Sequence, residues 1–209
     1  VEQIDVSTFE KEGPPHYATA TGDQAYGIVF SNDGSQLFVS GKNGGVVNEY
    51  DAATGGTPVR TVITQSRPAG LALSPDGSTL YVSDPHEKSM TAYNTTTWEA
   101  GDVWTGLSEA AEFLAINADG TTAYTGNYGG IHEMDLTTSG GEATVFSNKP
   151  FGSGDFIGTG IKVHPVTGNI LSAHRGGDNR LAHSVIEIDA TSGDMLRTVV
   201  SGVDGQPTG

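Results

Sequence analysis

Residues 70–83 read GLALSPDGSTLYVS, and this stretch decides the fold because three similar stretches recur along the chain. The other copies are GIVFSNDGSQLFVS at 27–40, FLAINADGTTAYTG at 113–126 and GIKVHPVTGNILSA at 160–173. Their turn glycines Gly34, Gly77, Gly120 and Gly168 lie 43, 43 and 48 residues apart. A period of this size, made only of short strands, is typical of β-propeller blades.

The second repeat shows most clearly how one copy divides into strands. Pro75 presets a turn dihedral, Asp76 can accept hydrogen bonds from its own backbone, and Gly77 tolerates a positive φ. The flanking stretches are short and carry the β-branched and aromatic residues that favour strands. We therefore predict four strands in every repeat, which in this one are Gly70–Leu73, Thr79–Ser83, Ser89–Asn94 and Asp102–Thr105. No stretch of useful length has a helical period, so the chain is predicted to be all-β.

The third predicted strands share an ending that helps to place the borders of the repeats. Asp51, Asp135 and Asp189 end such strands and are followed by Thr or Ser and then Gly, which stops a strand and starts a turn. Residues 1–8 have a similar ending at Ile4-Asp5, which predicts the third strand of a blade there. The prediction is a single β-propeller domain with a partial blade at 1–22, full blades at 23–65, 66–107, 108–148 and 149–204, and the start of a further blade at 205–209.

Four full four-stranded antiparallel blades plus a partial blade predict an incomplete ring. A ring normally closes because closure removes open sheet edges, and known propellers usually hold roughly four to eight blades. The chain starts at Val1 without a Met, which fits a processed product or a portion of something longer. We expect part of a larger ring, and a complete small propeller is the alternative.

Composition argues against several kinds of partner. The chain has 10 Lys and Arg against 25 Asp and Glu, a formal net charge of −15 at pH 7. Such a chain repels the phosphates of nucleic acids and anionic lipids, so no nucleic-acid partner is expected. It has no cysteine, which leaves no disulfide, thiolate ligand or thiol nucleophile. No apolar run approaches the roughly 20 residues that span a membrane, so no membrane insertion is expected.

The turn SPDG at 74–77 with LYVSD at 80–84 resembles the YVTN-type β-propeller repeat, in which a Ser-Pro-Asp-Gly turn precedes Tyr-Val-Thr-Asn or a similar strand. Four copies cover nearly the whole chain, and the strand drifts at Phe38–Gly41, Tyr124–Asn127 and Leu171–His174. The resemblance implies a ring of about seven blades in secreted, periplasmic or cell-surface proteins. It therefore implies an extracytoplasmic location, and some members of the family are scaffold subunits beside redox enzymes.

Residues 163–189 also resemble one blade of the propeller lactonases, which carry a His-Pro turn, then Asn-Arg-Gly with polar residues, then Ser-Ile. Here His164-Pro165 matches the turn, and His174 stands where Asn is usual before Arg175-Gly176. The resemblance implies a hydrolase alternative in which Arg175, His174 and His86 carry out lactone ring opening.

In a propeller the loops after second strands and the loops between blades share one face, and ligands usually bind there around the axis. We call this the loop face. Its predicted members are Lys42-Asn43, residues 84–88, Asn127-Tyr128 and residues 174–179, with Asp23-Gln24, Ser66-Arg67, Glu109, Glu112 and Asp155-Phe156 between blades. The candidate ligand-binding residues are Asp84, His86, Asn127, His174, Arg175 and Asp178.

His86 and His174 have comparable loop positions two blades apart, with Asp84 and Asp178 nearby. Imidazole and carboxylate together can bind a divalent metal or act as an acid–base pair, and two exposed histidines in a polar rim are the alternative. No His-x-x-x-His or Glu-x-x-His spacing is present, so neither a metal site nor a cofactor is predicted. Arg175 could clamp a carboxylate or phosphate, or could pair with Asp178 across a turn.

Two further sets of residues are interpreted as structural. Asp33, Asp76 and Asp119 are expected to form turns on the face opposite the loop face. Trp98 and Trp104 are expected to pack between blades.

Together these patterns predict a binding or structural module rather than an enzyme. Its partner would be a protein, a small ligand, or the rest of a larger propeller. Two alternatives stay open, a lactonase-like hydrolase and a propeller subunit associated with a redox enzyme. In the second alternative the redox centre lies on a partner, because the chain has no Cys-x-x-Cys-His for covalent haem.

Overall fold

The computed structural model describes residues 23–64, 66–107, 111–127, 130–147, 157–174 and 184–201. Within these ranges the regular elements are β-strands, arranged in four sheets that each contain one sequence repeat. The same ranges include no helix with the length and apolar character needed to cross a membrane.

The four main strands of each sheet form an antiparallel meander, in chain order from the first strand to the last. The first blade contains β1 (Ala25–Phe30), β2 (Gln36–Gly41), β3 (Val46–Asp51) and β4 (Arg60–Ile63). The second contains β5 (Leu71–Leu73), β6 (Thr79–Asp84), β7 (Ser89–Asn94) and β8 (Ala100–Thr105). The third contains β9 (Leu114–Ile116), β10 (Thr122–Asn127), β11 (Gly130–Asp135) and β13 (Thr144–Ser147), and the short β12 (Gly141–Glu142) lies between β11 and β13 in the chain. The fourth contains β14 (Ile157–Val163), β15 (Ile170–His174), β16 (Ser184–Ile188) and β17 (Met195–Ser201).

The predicted fold class and strand order are confirmed, with small differences at strand ends. The third strand of the second blade has the predicted bounds, whereas its fourth strand begins at Ala100 rather than at Asp102. The predicted partial blade at 1–22 and the start of a further blade at 205–209 lie outside the described residues. Both stay predictions.

The turns between first and second strands form as their sequences indicate. Asp76 Oδ1 accepts hydrogen bonds from the Ser74 hydroxyl at 2.5 Å and from the Ser78 backbone N–H at 3.0 Å. Asp33 accepts the equivalent bonds from Ser31 and Ser35 in the first blade, whereas Asp119 in the third blade accepts both the N–H and the hydroxyl of Thr121. The fourth blade uses an imidazole instead, because His164 Nδ1 accepts the N–H groups of Val166 and Thr167 at 3.2 Å each.

The first strands β1, β5, β9 and β14 contact one another in succession. They line a cavity of about 360 Å³, whose walls include Gly27, Gly70, Leu114 and Gly160. A Cβ on Gly27 would overlap the carbonyl oxygen of Ala69 in the next blade, so a glycine is needed where these strands approach.

The hydrophobic core lies between the blades, as both predicted tryptophan positions illustrate. Trp98 of the second blade packs against Phe38 of the first blade and donates its indole N–H to Glu49 at 3.1 Å. Trp104 packs against Tyr81 and donates to the carbonyl of Asp135 in the third blade at 2.8 Å. The expectation that both rings lie between blades is confirmed.

One strand pairing had no signal in the sequence. Residues Gly141–Glu142 of β12 pair in parallel with Trp104 and Thr105 of β8, which adds a fifth strand to the second blade. Glycine and glutamate both have low strand propensity, so a two-residue strand of this composition could not be predicted. The pairing ties the outer edges of the second and third blades together.

Candidate functional site

The loop face carries a cavity of about 380 Å³ where loops of three blades meet. The described residues that line it are Lys42, Arg67, Pro85, His86 and Glu112, and we call it the loop-face pocket. Lys42 follows β2, Pro85 and His86 follow β6, and Arg67 and Glu112 lie in the segments before β5 and β9. These are the two kinds of loop that the sequence analysis placed on one face.

Lys42 and Glu112 form an ion pair on one side of the pocket. Lys42 Nζ lies 2.5 Å from Glu112 Oε1, and each side chain is 19% exposed. The Tyr26 hydroxyl donates a hydrogen bond to the other oxygen of Glu112. The same ammonium lies 4.2 Å from the centre of the Tyr26 ring, within range of a cation–π interaction. This cluster fixes both charges and joins the first blade to the third.

Asp84 organises the other side of the pocket from a fully buried position. Its Oδ2 accepts the backbone N–H of Arg67 at 2.7 Å and lies 3.2 Å from the Ser66 hydroxyl, which donates to it. Its Oδ1 accepts the backbone N–H groups of His86 at 2.9 Å and Glu87 at 3.0 Å. Two separate loops are therefore held by one carboxylate, and both of its oxygens are engaged by the protein. The negative charge reaches Tyr93 as well, whose pKa is raised first by burial and second by Asp84.

Arg67 has a fixed backbone and an exposed side chain. Asp84 binds its N–H, and Pro68 restricts its dihedral angles to the extended region. Within the described residues no hydrogen bond or ion pair of the guanidinium group is found. Arg67 therefore brings donor groups to the pocket wall from a well-anchored main chain.

His86 contributes an imidazole to the pocket lining, and its side chain is 60% exposed. Its Nδ1 lies 3.2 Å from the Ser66 hydroxyl and 3.2 Å from Glu87 Oε1. Neither contact involves His174.

His86 and His174 do not occupy equivalent positions in their blades. The last residue of the second strand is Asp84 in β6, Asn127 in β10 and His174 in β15, each facing the start of the third strand. His174 thus corresponds to Asp84, not to His86, which lies two residues further on. His174 is only 5% exposed.

In the first blade a carboxylate from a different position, that of Asp23, takes the place of Asp84. Gly41 ends β2 at the position that corresponds to Asp84, and the carboxylate of Asp23 occupies the space of a side chain on Gly41. Asp23 Oδ1 accepts the N–H of Gly44 at 3.1 Å, as Asp84 accepts that of Glu87.

Of the six predicted ligand-binding residues, the pocket lining contains His86, and Asp84 supports the pocket from behind. Among the described residues His174 is not part of the lining, while the side chain of Asn127 and the residues Arg175, Asp178 and Glu109 lie outside what the structure describes. Lys42, Arg67 and Glu112 were placed on the loop face but not chosen as candidates. Their position in the loops was the one signal that the sequence offered. Lys42 and Glu112 are 70 positions apart, so their pairing produces no local sequence pattern.

Among the described residues, no group of three or more His, Cys, Asp or Glu side chains is placed to hold a metal ion.

No protein-family model and no curated protein matches this chain. Among solved structures it is similar to a chain of Kuenenia stuttgartiensis hydrazine synthase, with a TM-score of 0.68 and 24% sequence identity. The match covers 83% of this chain and 48% of that chain, so this chain spans about half the length of the matched one. At this identity the likeness shows the fold, and the protein is a β-propeller.

Proposed function

We propose that this propeller is a non-catalytic binding or structural module that presents the loop face to a small ligand or a protein. The loop-face pocket carries the proposal, because loops of three blades converge on one cavity of about 380 Å³. That volume is in the range of small-molecule sites. The blades supply a rigid scaffold, and the loops supply the chemistry.

The wider setting in this proposal is a YVTN-type ring inside a larger extracytoplasmic chain or assembly. The repeat pattern supports the family, and the coverage of about half of the matched solved chain is compatible with a larger ring. The partner is a protein or the remaining blades of such a ring, with no nucleic acid and no membrane insertion.

The two alternatives stay predictions. The lactonase-like alternative depends on Arg175, which lies outside the described residues. The redox-associated alternative has a solved neighbour named as a hydrazine synthase, and that likeness is one of fold.

The proposal is tested by a fragment screen on the full chain, whose mass of 21.6 kDa suits amide and methyl NMR. A library that mixes acidic, basic and neutral fragments should give shift changes that cluster on Lys42, Arg67, His86 and Glu112. The variant H86W should remove them because the indole fills the pocket. The matched control V166W places the same ring at a site that is 86% exposed on the opposite face and should leave them unchanged.

Hits that avoid the pocket, or that bind H86W as well as the unchanged chain, would reject this site as the binding surface.

A further inference from the structure

Charge is distributed unevenly around the loop-face pocket of this acidic protein. Two of the chain's 10 Lys and Arg residues line one small cavity, although the formal net charge is −15. The described lining has two permanent positive charges, on Lys42 and Arg67, and one carboxylate, on Glu112. Asp84 is buried behind the lining with both oxygens engaged by the protein, and Glu87 lies beside His86, so Lys42 and Arg67 are the cationic groups that face the cavity in a setting that is otherwise acidic.

The positive charges differ in how far the protein already uses them. Lys42 is paired with Glu112 at 2.5 Å and held over the Tyr26 ring. Arg67 has no hydrogen bond or ion pair to its guanidinium among the described residues, while Asp84 and Pro68 fix its backbone. Arg67 is therefore the cationic side chain of the described lining whose donors no described residue uses.

A guanidinium group presents paired N–H donors in a planar fork that matches the two oxygens of a carboxylate or phosphate. An ammonium has three donors, so Lys42 keeps donors beyond the one directed at Glu112. Pro85 gives the same cavity an apolar wall.

We propose that the loop-face pocket binds a small-molecule oxyanion, a carboxylate or a phosphate, with Arg67 as its bidentate partner and Lys42 as its second contact. Glu112 competes with the ligand for Lys42 and so limits the affinity. This inference rests on the proposed function, because it names the ligand class of the same pocket.

The test is calorimetric titration of the full chain with succinate, with inorganic phosphate and with succinamide, at low ionic strength where charges are least screened. We expect succinate or phosphate to bind and neutral succinamide not to bind. Whichever of succinate and phosphate binds with the higher affinity shows whether the ligand class is a carboxylate or a phosphate.

Three variants assign the contacts. R67Q should weaken anion binding about tenfold or more, because it removes charge-assisted hydrogen bonds. R67K keeps the charge but not the fork and should bind between R67Q and the unchanged chain. E112Q should bind the anion up to about fivefold more tightly, because a carboxylate no longer competes for Lys42.

The matched control is R60Q, which removes the same charge from β4, where Arg60 lies 3.7 Å from Glu49. It should bind like the unchanged chain, and circular dichroism should show all variants folded.

The inference is overturned if neither anion binds, if R67Q and R60Q behave alike, or if E112Q weakens binding. If neutral or basic fragments bind in the pocket while neither anion binds, the oxyanion proposal is rejected. The proposed function as a binding module would then still be supported.

Discussion

Gly27 shows how one residue can set the spacing between two blades. Its N–H donates to the Ser40 hydroxyl at 2.7 Å, and that hydroxyl donates to the carbonyl of Ala69 at 2.7 Å. A side chain at Gly27 would overlap that same carbonyl group. The first two blades therefore meet through a hydroxyl bridge that leaves no room for a Cβ.

We predict that G27A destabilises the protein by about 1–3 kcal/mol, as overpacking of a tight contact does. The matched control is G160A in the fourth blade, where the new Cβ would lie 3.9 Å from the Cβ of Ala173. That distance is an ordinary van der Waals contact, so G160A should be nearly neutral. Urea denaturation of both variants measures the difference, and equal midpoints would contradict the close approach.

At this scale the sequence predicted what local chemistry determines. The Ser-Pro-Asp-Gly turn around Asp76 forms as expected, because its hydrogen bonds join residues two apart. The contact between Tyr26 and Glu112 spans 86 residues and has no sequence pattern of its own. The sequence therefore placed Lys42 and Glu112 on the loop face, but it did not predict that they form an ion pair.

At the scale of elements, the loops of the second blade depend on a strand end. Asp84 is the last residue of β6, and from there its carboxylate holds the segment before β5 and the turn before β7. A carboxylate that accepts several N–H groups in a buried position stabilises them strongly, and its removal leaves those donors unsatisfied.

We predict that D84A speeds hydrogen exchange of the amides of Arg67, His86 and Glu87 roughly tenfold or more, because each loses a charged acceptor. The reciprocal control is D51A, which removes the acceptor of the Ala53 and Thr54 amides. Each variant should affect its own turn only.

Unchanged protection of Arg67 in D84A would show that Pro68 and the surrounding packing hold the loop without the carboxylate.

Strand positions were predicted well because hydrophobic alternation and turn residues recur in every repeat. The second strand of the second blade, for example, was predicted at Thr79–Ser83 and is observed at Thr79–Asp84. The parallel pairing of β12 with β8 joins residues of neighbouring blades, so nothing within one repeat could indicate it. Local patterns define a blade, whereas contacts between blades require the assembled fold.

At the scale of the whole molecule, carboxylates fasten the face opposite the loop-face pocket. Hydrogen bonds from the Ser31 hydroxyl first, and from Ser35 second, lower the pKa of Asp33 from 3.8 to about 2. Hydrogen bonds from the following turn residues lower the pKa of Asp51, Asp135 and Asp189 as well. The same aspartate turns recur in successive blades, so protonation affects the fold at many points at once.

We predict that the protein loses stability in acid in a specific window. A carboxyl group whose pKa is lower in the folded chain contributes stability that is complete above the unfolded value of 3.8. That contribution disappears as the pH falls through the folded value, which is about 2 for Asp33. Urea midpoints should therefore fall between these two values, and D33N should show a smaller fall than the unchanged chain.

The comparison variant is D102N, which removes an exposed carboxylate on β8. An acid profile that D33N and D102N change equally would show that overall charge, and not the turn hydrogen bonds, sets the response.

In the first two blades the same turn is capped by carboxylates from different segments, Asp23 in one and Asp84 in the other, and this difference affects how the repeats can diverge. Blade one supplies the turn-capping carboxylate from the segment before its first strand and leaves a glycine at Gly41, whereas blade two supplies it from the end of its second strand and has Ser66 opposite. A single substitution in either blade would leave two carboxylates in one space or none. The two positions must therefore change as a pair, and any loop transplanted between blades has to bring its partner segment with it.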